Sequence, residues 1–162
     1  VKLKEPINGI SYLSAIRTVG VKDVIPPPTP VLSDDTSNGL KITCEKEIDP
    51  EKGLVLRTNI EGTINRYTAQ QMGDLNYLIV DATVKNPEGD APVEDLISHH
   101  LRNGGSPSNL TIAPYQTPPD SKEDERPYIP LYETDDRIIF KVYFVDHAGN
   151  KGGVAEKEVH LK

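Results

Sequence analysis

The amino-acid sequence predicts a mainly β fold: a β-sandwich of about seven to nine short strands with one short inserted helix. Three observations carry this. Apolar and polar residues alternate at period two in run after run, most clearly in Leu40–Cys44 and Ile138–Phe144. Clusters of Gly, Pro, Asn and Asp punctuate the runs, drawn from 12 glycines and 14 prolines. Only the stretch 91–103 changes to a helical period. Short strands that do not alternate with helices argue for packed antiparallel sheets rather than a parallel one.

A chain of 162 residues can bury one core with a small appendage. We therefore divide it into an N-terminal strand or arm, 1–25, and a sandwich domain, 26–162. The chain opens on Val1 rather than Met, so an initiator, leader, tag or neighbouring domain is expected to have been removed. Net charge is −7, with 18 basic residues scattered along the chain. That argues against a nucleic-acid partner, which needs clustered Lys and Arg to displace counterions. No apolar run approaches the ~18–20 residues of a membrane span, so membrane insertion is not expected.

In the arm, Ile10, Tyr12, Val19 and Val21 sit at strand spacing. They read as a first strand or as a segment that pairs with another subunit by strand addition. Pro26 to Pro30 holds four prolines in five residues, a stiff extended segment leading into Val31-Leu32-Ser33. Asn38-Gly39 ends a turn, and Leu40, Ile42 and Cys44 then form the apolar side of a strand. Asp49 to Gly53 makes the next turn. Leu54–Thr58 and Thr63–Thr68 read as two strands divided at Glu61-Gly62. After a polar interruption at 70–74, Leu75–Lys85 is apolar on both faces and belongs in the middle of the fold.

Within 91–103, Val93, Leu96, Ile97, His100 and Leu101 fall on one helical face. Asp90 can act as N-cap and Gly104-Gly105 as the stop. Leu110 and Ile112 mark a brief strand. The stretch 116–127, QTPPDSKEDERP, predicts a long exposed loop with solvated charges. Tyr128–Tyr132 is a short edge strand broken by Pro130.

The terminal hairpin is the most strongly patterned element. Ile138, Phe140, Val142 and Phe144 share one face and include both phenylalanines of the chain. Asp146, Gly149 and Asn150 supply turn chemistry before a second, more polar strand, 154–161.

Catalytic and metal patterns are absent from this reading. His99 and His100 are adjacent, so on a helix they diverge by about 100° and cannot converge on one metal. Cys44, the single cysteine, lies on an apolar strand face beside Glu45, which suits packing rather than nucleophilic chemistry. No cofactor is expected. The nearest approach to a calcium site is Asp81 with the 86–95 turn (Glu88, Asp90, Glu94, Asp95), or Asp34-Asp35 with Asp146, set against calcium's need for six to eight oxygens. A glycan platform would need exposed aromatic rings, and Tyr115, Tyr128 and Tyr132 flank the long loop.

The segment Val145-Asp-His-Ala-Gly-Asn150, between two strands, resembles the end of bacterial and phage immunoglobulin-like (fibronectin-III-like) domains. Pro26–Ser33 resembles their first strand, and Gly62–Thr68 is similar to a motif of the accessory domain ending chitobiase-type glycosidases. The predicted helix, the long loop and the absence of Trp depart from that pattern. The resemblance implies a non-catalytic immunoglobulin-like sandwich at a cell surface, in an extracellular filament or in a virion. Other protein subunits, copies of itself among them, would be its partners, through the arm and edge strands. The other expectation is an accessory carbohydrate-binding module of a secreted glycosidase.

Overall fold

The computed structural model of the protein describes residues 25–64, 68–101, 110–121 and 124–162. Among the described residues there are eight strands and one six-residue helix. In chain order they are β1 (Leu40–Asp49), β2 (Gly53–Ile64), α1 (Ala69–Asp74), β3 (Leu75–Lys85), β4 (Ala91–His100), β5 (Leu110–Ile112), β6 (Tyr128–Pro130), β7 (Arg137–Asp146) and β8 (Ala155–His160).

Two antiparallel sheets result. In the first, β1 pairs β2 along its whole length, from Leu40 opposite Gly62 to Asp49 opposite Gly53. Two short strands share the far edge of β2 end to end, β6 at Val55–Arg57 and β5 at Gly62–Ile64. The second sheet has the order β4-β3-β7-β8. One apolar cluster joins the sheets, with Ile42, Leu56 and Ile60 from the first and Leu78, Val80 and Phe140 from the second.

The pattern of β7 explains where the core sits. Ile138, Phe140, Val142 and Phe144 are each 0% exposed. Across the ladder they face Val84, Ala82, Val80 and Leu78, the inward side of β3. The two central strands thus each present an unbroken apolar row to the other sheet.

The expected helix over 91–103 is not there: residues 91–100 form β4, paired to β3. The cause is a bulge. Val80 opposes Ile97 but Ala82 opposes Val93, so three residues of β4 face Asp81 alone. Asp95 takes a left-handed conformation (φ 53°), and its amide donates to Asp81 Oδ1 at 2.8 Å. Val93, Leu96 and Ile97 thereby all reach the core from a strand, with i, i+3, i+4 spacing. Helical periodicity and a bulged strand are indistinguishable at this length.

Two further divisions differ from expectation. Gly62 is not a turn but lies inside β2, which runs unbroken from Gly53 to Ile64. It has φ 142°, and a Cβ there would overlap the Gly39 carbonyl, so the close approach of β1 to β2 requires glycine. The polar interruption at 70–74 contains α1. Thr68 caps it reciprocally: Thr68 Oγ1 accepts the Gln71 amide, and Gln71 Oε1 accepts the Thr68 amide.

The described chain enters and leaves at opposite poles. Pro27 packs so closely on Gly152, in the turn before β8, that a Cβ on Gly152 would strike its carbonyl. At the other pole, Lys46 Nζ donates to the Leu161 carbonyl at 3.1 Å, beside the β1–β2 hairpin.

Candidate functional site

The most constructed polar region lies on the outer face of the first sheet. On β2, Leu56 and Ile60 point into the core, so Val55, Arg57 and Asn59 point outward. Even so, Val55 is 0% and Arg57 1% exposed, and the loop expected to be solvated lies against Arg57. Arg57 Nη1 donates to the carbonyls of Asp124 and Arg126 (3.2 and 3.0 Å). Its Nε donates to Glu47 (2.6 Å) and its Nη2 to Asp49 (2.7 Å). Tyr128 stacks over the guanidinium at 5.2 Å.

The rest of the loop is tied in the same way. Asn59 makes a two-way pair with Tyr115, donating from Nδ2 to its carbonyl and accepting its amide at Oδ1, both at 2.8 Å. Thr117 Oγ1 donates to Asp124 Oδ1 and accepts the Glu125 amide, joining the two limbs of the loop. The Thr58 amide donates to the Pro127 carbonyl, extending the β6 ladder. The segment is thus a strap, clasped to β2 by one buried arginine.

Electrostatics hold the clasp. Arg126 grips Asp124 through Nε and Nη2, the shortest bond being 2.6 Å. This holds the Asp124 carboxyl well below the usual carboxylate range, against the opposing effect of burial. The amides of Glu51 and Lys52 likewise lower Asp49. Burial works against the charge on Arg57, and Glu47, Asp124 and Asp49 outweigh it.

Arg126 stands between two shallow clefts on this face. One, of about 590 Å³, runs along Pro114–Thr117 and Asn59; the smaller, about 200 Å³, is bounded by Thr43, Glu45 and Asn59. Cys44 borders the smaller cleft, whose lining holds no histidine. Burial pushes its thiol up to about 11.

The residues singled out in the sequence are distributed as follows. Ile138, Phe140, Val142 and Phe144 are all in the core. Asp146 is buried in the β7–β8 turn, where its carboxylate accepts the Asn150 amide (2.8 Å) and Asn150 Nδ2 (3.1 Å), while Gly149 has φ 89°. The amide of His147 donates to Asp74, fastening this turn to α1.

The three tyrosines do not form one platform. Tyr115 is half-exposed at the rim of the larger cleft. Tyr128 lies between Arg57 and Lys52. Tyr132 is 76% exposed in the turn after β6, whose Leu131 amide bonds Leu54, five residues along β2 from Asn59 and so roughly 16 Å away. Ile10, Tyr12, Val19 and Val21 lie outside the described residues.

Four of the carboxylates considered for calcium, Asp35, Asp81, Asp90 and Asp146, are engaged within the protein. Asp81 accepts from the Asp95 amide and from Tyr143 Oη, and Asp35 from Ser37 and Asn38. Among the described residues no group of three or more metal-ligating side chains comes together.

Arg57 and the clasp were missed in the sequence. Half the signal was available: once Asp49–Gly53 is read as a hairpin turn, Glu45 faces Arg57 with Glu47 diagonal to it. Asp124 and Arg126, 67 and 69 residues on, give no such local sign.

No protein-family model, no curated protein and no solved structure matches the chain.

Proposed function

We propose that this protein is a non-catalytic immunoglobulin-like assembly module of a cell surface, an extracellular filament or a virion. The observation that carries this is the pairing of the strands in two antiparallel sheets. The strand order supports the immunoglobulin-like reading: β1, β2 and the β5/β6 edge take the places of strands A, B and E, and β4-β3-β7-β8 those of C′-C-F-G. The Cys44 thiol beside the smaller cleft is pushed up to about 11 by burial and so is not activated as a nucleophile.

The edges favour the arm over direct pairing between edge strands of two copies as the subunit contact. Lys157 opposes Phe140 and so points inward from the edge strand β8, and Lys46 does the same from β1. A third edge, β4, is bulged and carries Pro92, and the fourth, β5 with β6, carries Pro130. Inward lysines, bulges and prolines all discourage edge-to-edge pairing. Residues 1–25 are then the connector to other subunits.

Light scattering over a concentration series tests the role. Masses at multiples of 17.9 kDa are expected as concentration rises. A strict monomer throughout contradicts self-assembly. The second reading, an accessory carbohydrate-binding module, is favoured by one observation, the half-exposed Tyr115 ring at the larger cleft.

A further inference from the structure

We propose that the face formed by the strap and the outer side of β1–β2 binds a neutral saccharide, seated on Tyr115 and gripped by Arg126. The proposal deepens the second reading above and rests on it for the ligand class, but it locates the site and sets its charge. It does not require that the protein be a monomer.

The site is held ready before any ligand arrives. Arg126 is fixed by its two-pronged hold on Asp124; Asn59 pins the main chain of Tyr115, whose hydroxyl donates to Glu125 Oε1 at 3.4 Å. Neither needs to be ordered on binding, which removes a main cost of association. The larger cleft, about 590 Å³, is within the range of small-molecule sites (~300–1,000 Å³) and joins the smaller one at Arg126 and Asn59.

The chemistry exposed there suits vicinal hydroxyls. Among the described residues, Arg126 Nη1 has only a long 3.5 Å approach to Glu45 Oε1, so its protons are weakly engaged. Glu45 is 66% exposed at the side chain, leaving carboxylate lone pairs to accept from a sugar. Donor and acceptor thus stand side by side, as two neighbouring hydroxyls need, with Gln116 exposed nearby. The Tyr115 ring offers an apolar face for the C–H side of a pyranose.

Charge selects among sugars. Arg126 lies within 4 Å of three carboxylates: Asp124 at 2.6 Å, Glu45 at 3.5 Å and Glu47 at 3.7 Å. An anionic ligand would therefore meet net repulsion, so sulfated or carboxylated glycans are disfavoured.

The test is an amide-shift titration of the ¹⁵N-labelled full chain. The probes are cellotetraose, maltotetraose and a chitin tetramer, with a sulfated heparin tetrasaccharide as the anionic control, each to ~10 mM. At least one neutral probe should shift the amides of Thr43, Glu45, Asn59, Tyr115 and Arg126 saturably. Tyr115→Ala should weaken that binding about tenfold, and Glu45→Gln measurably, with the rest of the spectrum unmoved. Tyr132→Ala, on a separate turn, should leave it unchanged. Three results overturn the proposal: no saturable shift with any neutral probe, binding of heparin alone, or binding at other residues that Tyr115→Ala leaves intact. Of these, only saccharide binding at other residues would leave the module reading standing while removing this site.

Discussion

Replacing Arg57 by Met tests whether the strap is clasped by a buried charge or merely draped over the sheet. Methionine fills similar volume without a donor, so packing over Val55 is largely kept. The substitution removes bonds of 2.6 and 2.7 Å to Glu47 and Asp49 and two bonds to strap carbonyls. Breaking a fully buried ion pair from one side costs about 3–5 kcal/mol. Here the partners are not fully buried: Glu47, Asp49 and Asp124 side chains are 31%, 12% and 28% exposed and can regain water. Arg126, already 3.7 Å from Glu47, can take up part of the charge. The expected loss is therefore at the lower end, about 2–3 kcal/mol in urea unfolding. Hydrogen exchange should localise it, with the amides of Thr58 and Tyr115 losing protection because they bond the strap and Asn59. A loss below about 0.5 kcal/mol with both amides still protected would refute the clasp.

Further predictions follow from single positions. Phe140→Ala should cost about 3–5 kcal/mol; under about 1 kcal/mol would place Phe140 outside the core. Gly62→Ala should cost about 3 kcal/mol, from positive φ and overlap with the Gly39 carbonyl, and an unfolding midpoint equal to the parent's would contradict the close approach. His99 is half-buried with Nε2 unpartnered among the described residues, and burial lowers its pKa below the ordinary 6.5. The unfolded chain therefore takes up the proton first, so this contribution is complete above pH 6.5 and is lost as pH falls through the lowered folded value. The stability difference between the parent and His99→Gln should change over that range, and a flat difference would show that His99 titrates normally. Cys44, pushed up to about 11, should react slowly with a disulfide reagent at pH 8 until urea is added; rapid labelling of the folded chain would contradict its burial.

The legible parts of this fold are those where one face decides everything. β7 alternates without interruption, and Phe140 and Phe144 must go inward, so the strand and its buried face follow from residues 138–144 alone. The inward row of β3 and the apolar side of β1 up to Cys44 are legible for the same reason. Where the backbone departs from ideal pairing, the pattern misleads. The bulge at Asp95 converts a strand into an apparent helix, and Gly62 looks like a turn because its reason for being glycine lies across the sheet at Gly39. The Thr68–Gln71 capping box was a local signal of α1 that the polar composition around it concealed. For the candidate site, Tyr115 was legible as an aromatic near the loop. That it lines a cleft, while Tyr128 lies against Arg57 and Tyr132 stands apart, depends on tertiary contacts that spacing does not carry.

Residues 1–25 are proposed to connect this sandwich to other subunits. Size-exclusion chromatography with light scattering, on 1–162 and 26–162 across the same concentration series, is the decisive measurement. The full chain should rise above 17.9 kDa with concentration while 26–162 stays folded and monomeric. Two folded monomers, or equal association of both chains, would contradict it.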